Sequence, residues 1–145
     1  MKPVHLVLAA GVVFAGGGLA MAQFAGAEKP SAEVLFEGSK TILGEQIAYP
    51  SGTPKMTAAI VTLPVGSETG WHVHGAPMYA RVLEGTLIVD YGSKGPRTYQ
   101  TGESLIEAIN WPHNGRNAGS VPVRILTVYA TADGVANSAP AAAPQ

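Results

Sequence analysis

Short runs of alternating apolar and polar residues fill the middle of the chain, and glycine and proline interrupt them at close intervals. Alternation with a period of two over four to eight residues is typical of half-buried strands. About a hundred residues show this pattern, and none of them has the spacing of an amphipathic helix. The pattern therefore predicts an all-β domain, either a sandwich or a barrel.

The individual strands can be assigned from these runs. A turn at Glu84-Gly85 joins two of them into a predicted hairpin. No stretch of sequence repeats, which favours one barrel over an array of repeats. The predicted strands are QIAYP, KMTAAIVTLPVG, WHVHG, MYARVLEG, TLIVDYG, PRTYQTG, ESLIEAI and VPVRILTVYA.

The first 22 residues have the composition of a secretory signal peptide. Lys2 supplies a basic start, an apolar run follows from residue 4 to 20, and the stretch ends in Ala-Met-Ala. This pattern predicts cleavage after Ala22 and an exported domain, periplasmic or secreted. The alternative is an uncleaved membrane anchor, but three glycines at 16–18 weaken the stretch as a spanning helix. After cleavage no stable membrane anchor is expected.

The segments flanking the predicted domain are rich in small residues. Residues 23–38 are predicted to be a linker, and residues 39–131 the β domain. The Ala/Pro-rich residues 132–145 are predicted to be a disordered tail.

Charge and composition narrow the range of functions. The net charge is −1 at pH 7 without any charge run, so no nucleic-acid partner is expected. The chain has no cysteine, which removes disulfides, thiol catalysis and cysteine-based zinc sites.

The histidines are the main chemical signal. The chain has four of them, and His5 lies in the predicted signal peptide. His72 and His74 are two residues apart on a predicted strand and therefore share a face. Two imidazoles on one face are too few for a tight metal site, and His113 is the candidate for a third. The alternative is a half-exposed, hydrogen-bonded pair without a metal.

Two stretches around these histidines resemble the two sequence motifs of the cupin superfamily. GSETGWHVHGAPMYARVLEG resembles the first motif and GESLIEAINWPHNGRN the second, and the resemblance spans roughly residues 40 to 130. The matching positions are Gly66, His72, His74 and Gly85 in the first stretch, and Gly102, His113 and Asn117 in the second.

The resemblance implies a single cupin-type β-barrel, jelly-roll-like, of two antiparallel sheets. It also implies a divalent transition metal held by His72, His74 and His113. Three histidines with open positions suit iron best, and manganese, zinc, nickel and copper are alternatives. The sequence departs from the family pattern at Met78, which occupies the position of the first motif's glutamate.

Either Met78 or Glu107 is predicted as a fourth ligand. A thioether would favour copper(I), whereas the alternative for Met78 is packing in the core. Glu107 lies among apolar residues on the strand that leads to His113. A carboxylate there destabilises the fold unless it is paired or metal-bound, so Glu107 is a candidate fourth ligand or catalytic base. The alternative is a solvent-facing residue.

Three further residues are predicted to line a pocket: Tyr79, Arg81 and Trp111. Core packing is the alternative for the two aromatic residues. Arg81 would meet an anionic ligand if it faced inward, and solvent if it faced outward.

The predicted function is that of an exported metal-binding cupin, with a small molecule as ligand or substrate. An oxygenase-type enzyme, such as a dioxygenase, is one hypothesis. A non-catalytic binding module is the second, and a metal-dependent isomerase or lyase with Glu107 as base is the third. The fold itself does not choose among them. Because dimers are common among cupins, a homodimer is expected.

Overall fold

A computed structural model describes residues 29–144 of the chain. The fold described below is that of one compact unit, which begins at Glu33. The predicted signal peptide, its cleavage position and the first part of the predicted linker lie outside the described residues. Residues 29–38 contain no strand.

The described part of the chain is built from strands, which confirms the all-β prediction. Its regular elements are nine strands and a 3₁₀ turn at Gly92–Lys94. Within residues 29–144, no helix has the length and apolar character needed to cross a membrane. The strands are β1 Pro54–Leu63, β2 His72–Val73, β3 Met78–Glu84, β4 Thr86–Asp90, β5 Pro96–Gln100, β6 Ser104–Ile106, β7 Asn114–Asn117, β8 Val123–Ala132 and β9 Ala139–Pro140.

Two main antiparallel sheets carry the fold, as expected for a jelly-roll barrel. The larger sheet has the order β1-β8-β3-β6, and the smaller has the order β5-β4-β7. β1 and β8 pair over their full lengths, from Pro54 opposite Ala132 to Leu63 opposite Val123. A third, two-stranded sheet of β2 and β9 brings the C-terminal part of the chain next to His72.

The core lies between the inward faces of the two main sheets. Along β3, Met78, Ala80 and Val82 are buried, while the residues between them are more exposed. β4 alternates in the same way, so Leu87 and Val89 meet the β3 residues in one apolar cluster. This strict alternation determines which side chains face the interior.

One predicted strand is absent from the structure and several are shorter than predicted; WHVHG, for example, is reduced to His72–Val73. QIAYP forms no strand and contributes a single bridge between Lys40 and Gln46. The predicted strand ESLIEAI ends at Ile106, and the chain then runs irregularly to His113. Glu107 and Ala108 are both buried there, which strict alternation would not allow, and Asn110 has a positive φ of 54°.

The predicted disordered tail at 132–145 is wrong for its described part. Ala132 ends β8, and residues 139–140 pair with β2. Ala141 N–H donates to Trp71 O at 3.0 Å. Along an antiparallel pair, hydrogen-bonded and non-hydrogen-bonded positions alternate. Pro140 occupies a non-hydrogen-bonded position, so the N–H that proline lacks would not have bonded to β2.

Candidate metal centre

Backbone pairing between distant segments brings the three histidines together. His72 lies on β2, and His113 immediately precedes β7. Their backbones exchange two hydrogen bonds of 3.0 Å each, from His72 N to His113 O and back. A further bridge joins His74 to Ile109. As a result, one ring nitrogen from each histidine lies within 4.8 Å of the others.

The hydrogen bonds of the three imidazoles determine their tautomers. Each Nδ1 contacts a backbone carbonyl oxygen, which can only accept, so each Nδ1 carries the proton. The Nε2 lone pairs are then left free, as metal-ligating histidines require. The pairs are His72–Gly70 at 2.8 Å, His74–Asn137 at 2.7 Å and His113–Trp111 at 2.9 Å.

Two of the free lone pairs are buried without a partner. Nε2 of His74 and Nε2 of His113 make no hydrogen bond, although both side chains are only 2 % exposed. Buried polar atoms are nearly always paired, because an unpaired one costs about 1–3 kcal/mol. A metal ion held between these atoms would satisfy both, so the residues present fit such an ion.

Burial also keeps two of the imidazoles neutral. Desolvation, with a smaller contribution from the neighbouring imidazoles, lowers the pKa of His74 and that of His113 to about 4. The hydrogen bonds to Asn137 O and Trp111 O act in the opposite direction but do not offset burial. At neutral pH both rings are therefore in the form that binds a metal.

These pKa values predict that the metal-free protein loses stability as the pH falls from about 6.5 to about 4. In that range the unfolded chain binds protons at His74 and His113 that the folded chain does not bind. At pH 4.5 each ring is expected to lower the free energy of unfolding by about 2 kcal/mol. Urea unfolding at pH 7.5 and pH 4.5, in the Glu107→Gln background, measures the loss.

In that experiment a second substitution, His113→Gln, should remove about half of the loss. The Glu107→Gln background removes the Glu107 carboxyl, because the titration of that carboxyl would change the stability in the direction opposite to that of the two histidines. An acid-induced loss that His113→Gln leaves unchanged would contradict the assignment to these imidazoles.

Glu107 faces the histidines from the segment that follows β6. Its side chain is 4 % exposed, and its Oε1 accepts 2.7 Å hydrogen bonds from Tyr91 O–H and from Ala108 N–H. Oε2 lies 3.9 Å from Nε2 of His113. One carboxylate oxygen is thus held in place, while the other faces the candidate site.

The surroundings of Glu107 favour its neutral form in the absence of a cation. Burial raises the pKa of its carboxyl, although the hydrogen bonds from Tyr91 and Ala108 lower it in part. Burial also raises the pKa of Tyr99 to about 12, so that phenol stays protonated. Tyr99 lies 3.4 Å from Tyr91, oxygen to oxygen, and extends this buried polar chain from Glu107.

A small apolar cavity of about 70 Å³ adjoins the histidines. Met78 lines it and also packs in the apolar core cluster. A larger groove of about 440 Å³ also adjoins the histidines. Four residues line both this groove and the small inner cavity: Thr69, His72, His74 and Tyr129.

The three predicted pocket residues do not line the cavity. Tyr79 and Arg81 alternate with the buried residues of β3 and therefore face outward, where both contact the Ser104 hydroxyl. Trp111 packs against the core and donates from Nε1 to Tyr91 O at 2.9 Å. Lys94 Nζ also lies 5.2 Å from the centre of the Trp111 ring. These three contacts give Trp111 a structural role.

Two residues that contribute to the site were not predicted. Tyr91 follows Leu87 and Val89 at a spacing of two, so alternation along β4 could have placed it inside. Asn137 acts through its backbone carbonyl alone. No side-chain pattern in the sequence could have revealed that contact.

The fold and the histidine cluster define a β-barrel with a candidate metal centre. The cupin-domain family model matches residues 59–129. The chain belongs to the cupin superfamily. No curated protein matches the sequence.

Several solved structures are similar to this chain. An uncharacterized protein with a double-stranded β-helix domain from Klebsiella pneumoniae is 22% identical over 65% of this chain and 84% of its own, with a TM-score of 0.52. The DMSP lyase DddQ from Ruegeria pomeroyi is 20% identical over 62% of this chain and 45% of its own, with a TM-score of 0.53.

Oxalate decarboxylase from Lactobacillus farciminis is also similar, in a complex with formate. It is 20% identical over 59% of this chain and 26% of its own, with a TM-score of 0.51. The chain thus spans less than half of either enzyme. At this level of identity the similarities concern the fold alone.

Proposed function

We propose that His72, His74, His113 and Glu107 bind one divalent transition metal, with iron as the preferred ion. The observation that carries this proposal is the pair of buried Nε2 atoms without partners, each on a ring whose Nδ1–H is fixed by a carbonyl. Glu107 is favoured over Met78 as fourth ligand because its Oε2 is 3.9 Å from His113 Nε2. Met78 instead packs in the core.

We further propose an oxygenase-type reaction on a small organic substrate. A bound iron would supply binding and activation of O₂ at the coordination positions that four protein ligands leave open. The apolar residues of the cavity exclude water from this side of the site. Tyr91 holds the Glu107 carboxylate in place through its 2.7 Å hydrogen bond.

Glu107 also supports a second candidate function, that of a metal-dependent isomerase or lyase. Its carboxyl is buried beside the histidines, and burial raises its pKa, as is common for catalytic acids and bases. In that reaction Oε2 would accept a proton from the substrate. The two candidates differ in whether O₂ is consumed.

Metal content tests the site itself. Plasma mass spectrometry of the mature protein purified from the periplasm should find nearly one iron per chain, and a His72→Ala/His113→Ala variant should hold none. An empty wild-type site that also refuses added iron, manganese, zinc, nickel and copper would overturn the proposal. A copper-loaded site would instead favour Met78 as a ligand.

Oxygen uptake by the iron-loaded protein tests the reaction type. With a panel of small phenols and organic acids, an oxygenase consumes O₂ only when its substrate is present. Turnover of a substrate without O₂ would favour the isomerase or lyase, and its loss in Glu107→Ala would assign the base. Tight metal binding with no turnover on either route would indicate a non-catalytic binding module.

Export and dimerisation remain proposals that rest on different parts of the chain. The signal-peptide pattern supports a periplasmic or secreted domain. For a homodimer, β1 offers the edge of the four-stranded sheet, with Met56 74 % exposed and Ile60 47 % exposed. An exposed apolar sheet edge is a common surface for pairing with a second copy.

A further inference from the structure

The segment at residues 137–141, here called the C-terminal strap, lies directly against the candidate metal centre. Its Asn137 carbonyl accepts the 2.7 Å hydrogen bond from His74 Nδ1. Its Ala139 and Pro140 pair with Val73 and His72. The strap therefore contacts the backbone or the ring of both histidines in the His-x-His pair.

Further contacts hold the strap at its C-terminal side. Ala141 N–H donates to Trp71 O at 3.0 Å. Beyond the strap, Pro144 packs so closely over Gly92 that a Cβ on Gly92 would lie 2.3 Å from Pro144 Cγ. The strap is thus bound to the β2 segment, and the chain just beyond it lies against the turn after β4.

The strap also forms one wall of the groove beside the histidines. Ser138 and Pro140 line this groove together with Trp71 and Tyr129, and none of the residues that line it is Asp, Glu, Lys or Arg. The groove, at about 440 Å³, is far larger than the inner cavity of about 70 Å³. The inner cavity has room for a few atoms, whereas the groove can hold the body of a small molecule.

We propose that the C-terminal strap completes the ligand site: Asn137 O orients His74, and the strap walls the groove for an uncharged, planar ligand body. This inference deepens the proposed function and rests on its metal centre. The ligand would present oxygen atoms to the metal and place its flat, apolar body in the groove with Trp71 and Tyr129. Aromatic and proline side chains favour such a body, and the groove offers no side-chain charge to pair with a second ionic group.

The proposal predicts that loosening the strap weakens the binding of both the metal and the ligand. Ala141→Pro removes the N–H that binds Trp71 O. Ala142→Pro is the matched control because residue 142 is exposed. By the alternation of an antiparallel pair, the N–H of residue 142 does not point toward β2. Loss of a group that orients a metal-ligating histidine typically lowers metal affinity by about 10–100-fold.

The first measurement needs no metal. In the NMR spectrum of the metal-free full-length protein, the Nδ1–H proton of His74 should be visible and slow to exchange, because Asn137 O shields it. It should persist in Ala142→Pro and disappear in Ala141→Pro. A signal of equal protection in both variants would overturn the strap's role, whether or not the protein binds a metal.

The second measurement uses Co²⁺ as a visible probe ion and 4-nitrocatechol and oxalate as ligand probes. Ala141→Pro should weaken Co²⁺ binding about 10–100-fold. On the Co²⁺-loaded protein, the substitution should weaken the binding of 4-nitrocatechol, which has a planar ring, more than the binding of oxalate, which has no ring. Equal weakening of both probes would overturn the groove assignment, and a wild-type protein that binds no Co²⁺ would overturn the proposed metal centre instead.

Discussion

Replacing His113 by alanine is expected to abolish metal binding at physiological concentrations while leaving the barrel folded. Structural zinc sites in small peptides contribute about 10–16 kcal/mol, and on that scale removal of one of the four proposed ligands should cost roughly a quarter. The metal dissociation constant should therefore rise by about two to three orders of magnitude. The fold should persist because the variant also removes a buried Nε2 that has no partner in the metal-free protein.

Met78→Leu is the matched control for His113→Ala. Both side chains line the inner cavity, but leucine keeps the volume and apolar character that Met78 gives to the core. Competition titration with a chromophoric chelator gives the dissociation constants, and circular dichroism monitors the fold. Equal loss of affinity in Met78→Leu and His113→Ala would show that the thioether is a ligand.

The substitution Glu107→Gln is expected to change metal affinity and metal-free stability in opposite directions. Glutamine has nearly the same shape, and its Oε1 can still accept from Tyr91 O–H and Ala108 N–H. Its amide cannot supply the negative charge that a metal ion attracts, so metal affinity should fall by about 10–100-fold. A folding defect, by contrast, would lower both quantities together.

The metal-free stability should rise at neutral pH because burial raises the Glu107 pKa above its ordinary value. Between those two values the folded chain holds a proton that the unfolded chain releases, so stability falls as the pH increases through this range. Because glutamine does not titrate, the free energy of unfolding of the variant should not show this decrease with increasing pH. Urea unfolding of the metal-free protein at several pH values measures the difference.

Glu84→Gln provides the control for this charge change, because Glu84 is exposed at the end of β3. It should leave the metal dissociation constant unchanged. If Glu107→Gln bound metal as tightly as the wild-type protein, Glu107 would not be a ligand. The carboxyl would then be left with the role of an acid or base.

The sequence pattern alone determined the class of fold and the candidate metal-ligating histidines. The alternation of period two placed His72 and His74 on one face, and the spacing of glycines around them resembled the cupin motifs. Most strands were predicted because their burial follows this local alternation, as along β3 and β4. Local patterns also identified Glu107 as unusual, since a carboxylate among apolar residues requires an explanation.

Only the tertiary structure decided which side chains meet at the site. Alternation allowed either face of β3 to point inward, and the packing of Met78, Ala80 and Val82 left Tyr79 and Arg81 outside. The contact of Glu107 with Tyr91 joins residues 16 positions apart, and that of His74 with Asn137 spans 63. Local composition determines the face of a strand, but closure of the barrel determines which distant segments meet. For this reason an Ala/Pro-rich segment that favours disorder on its own becomes ordered against β2.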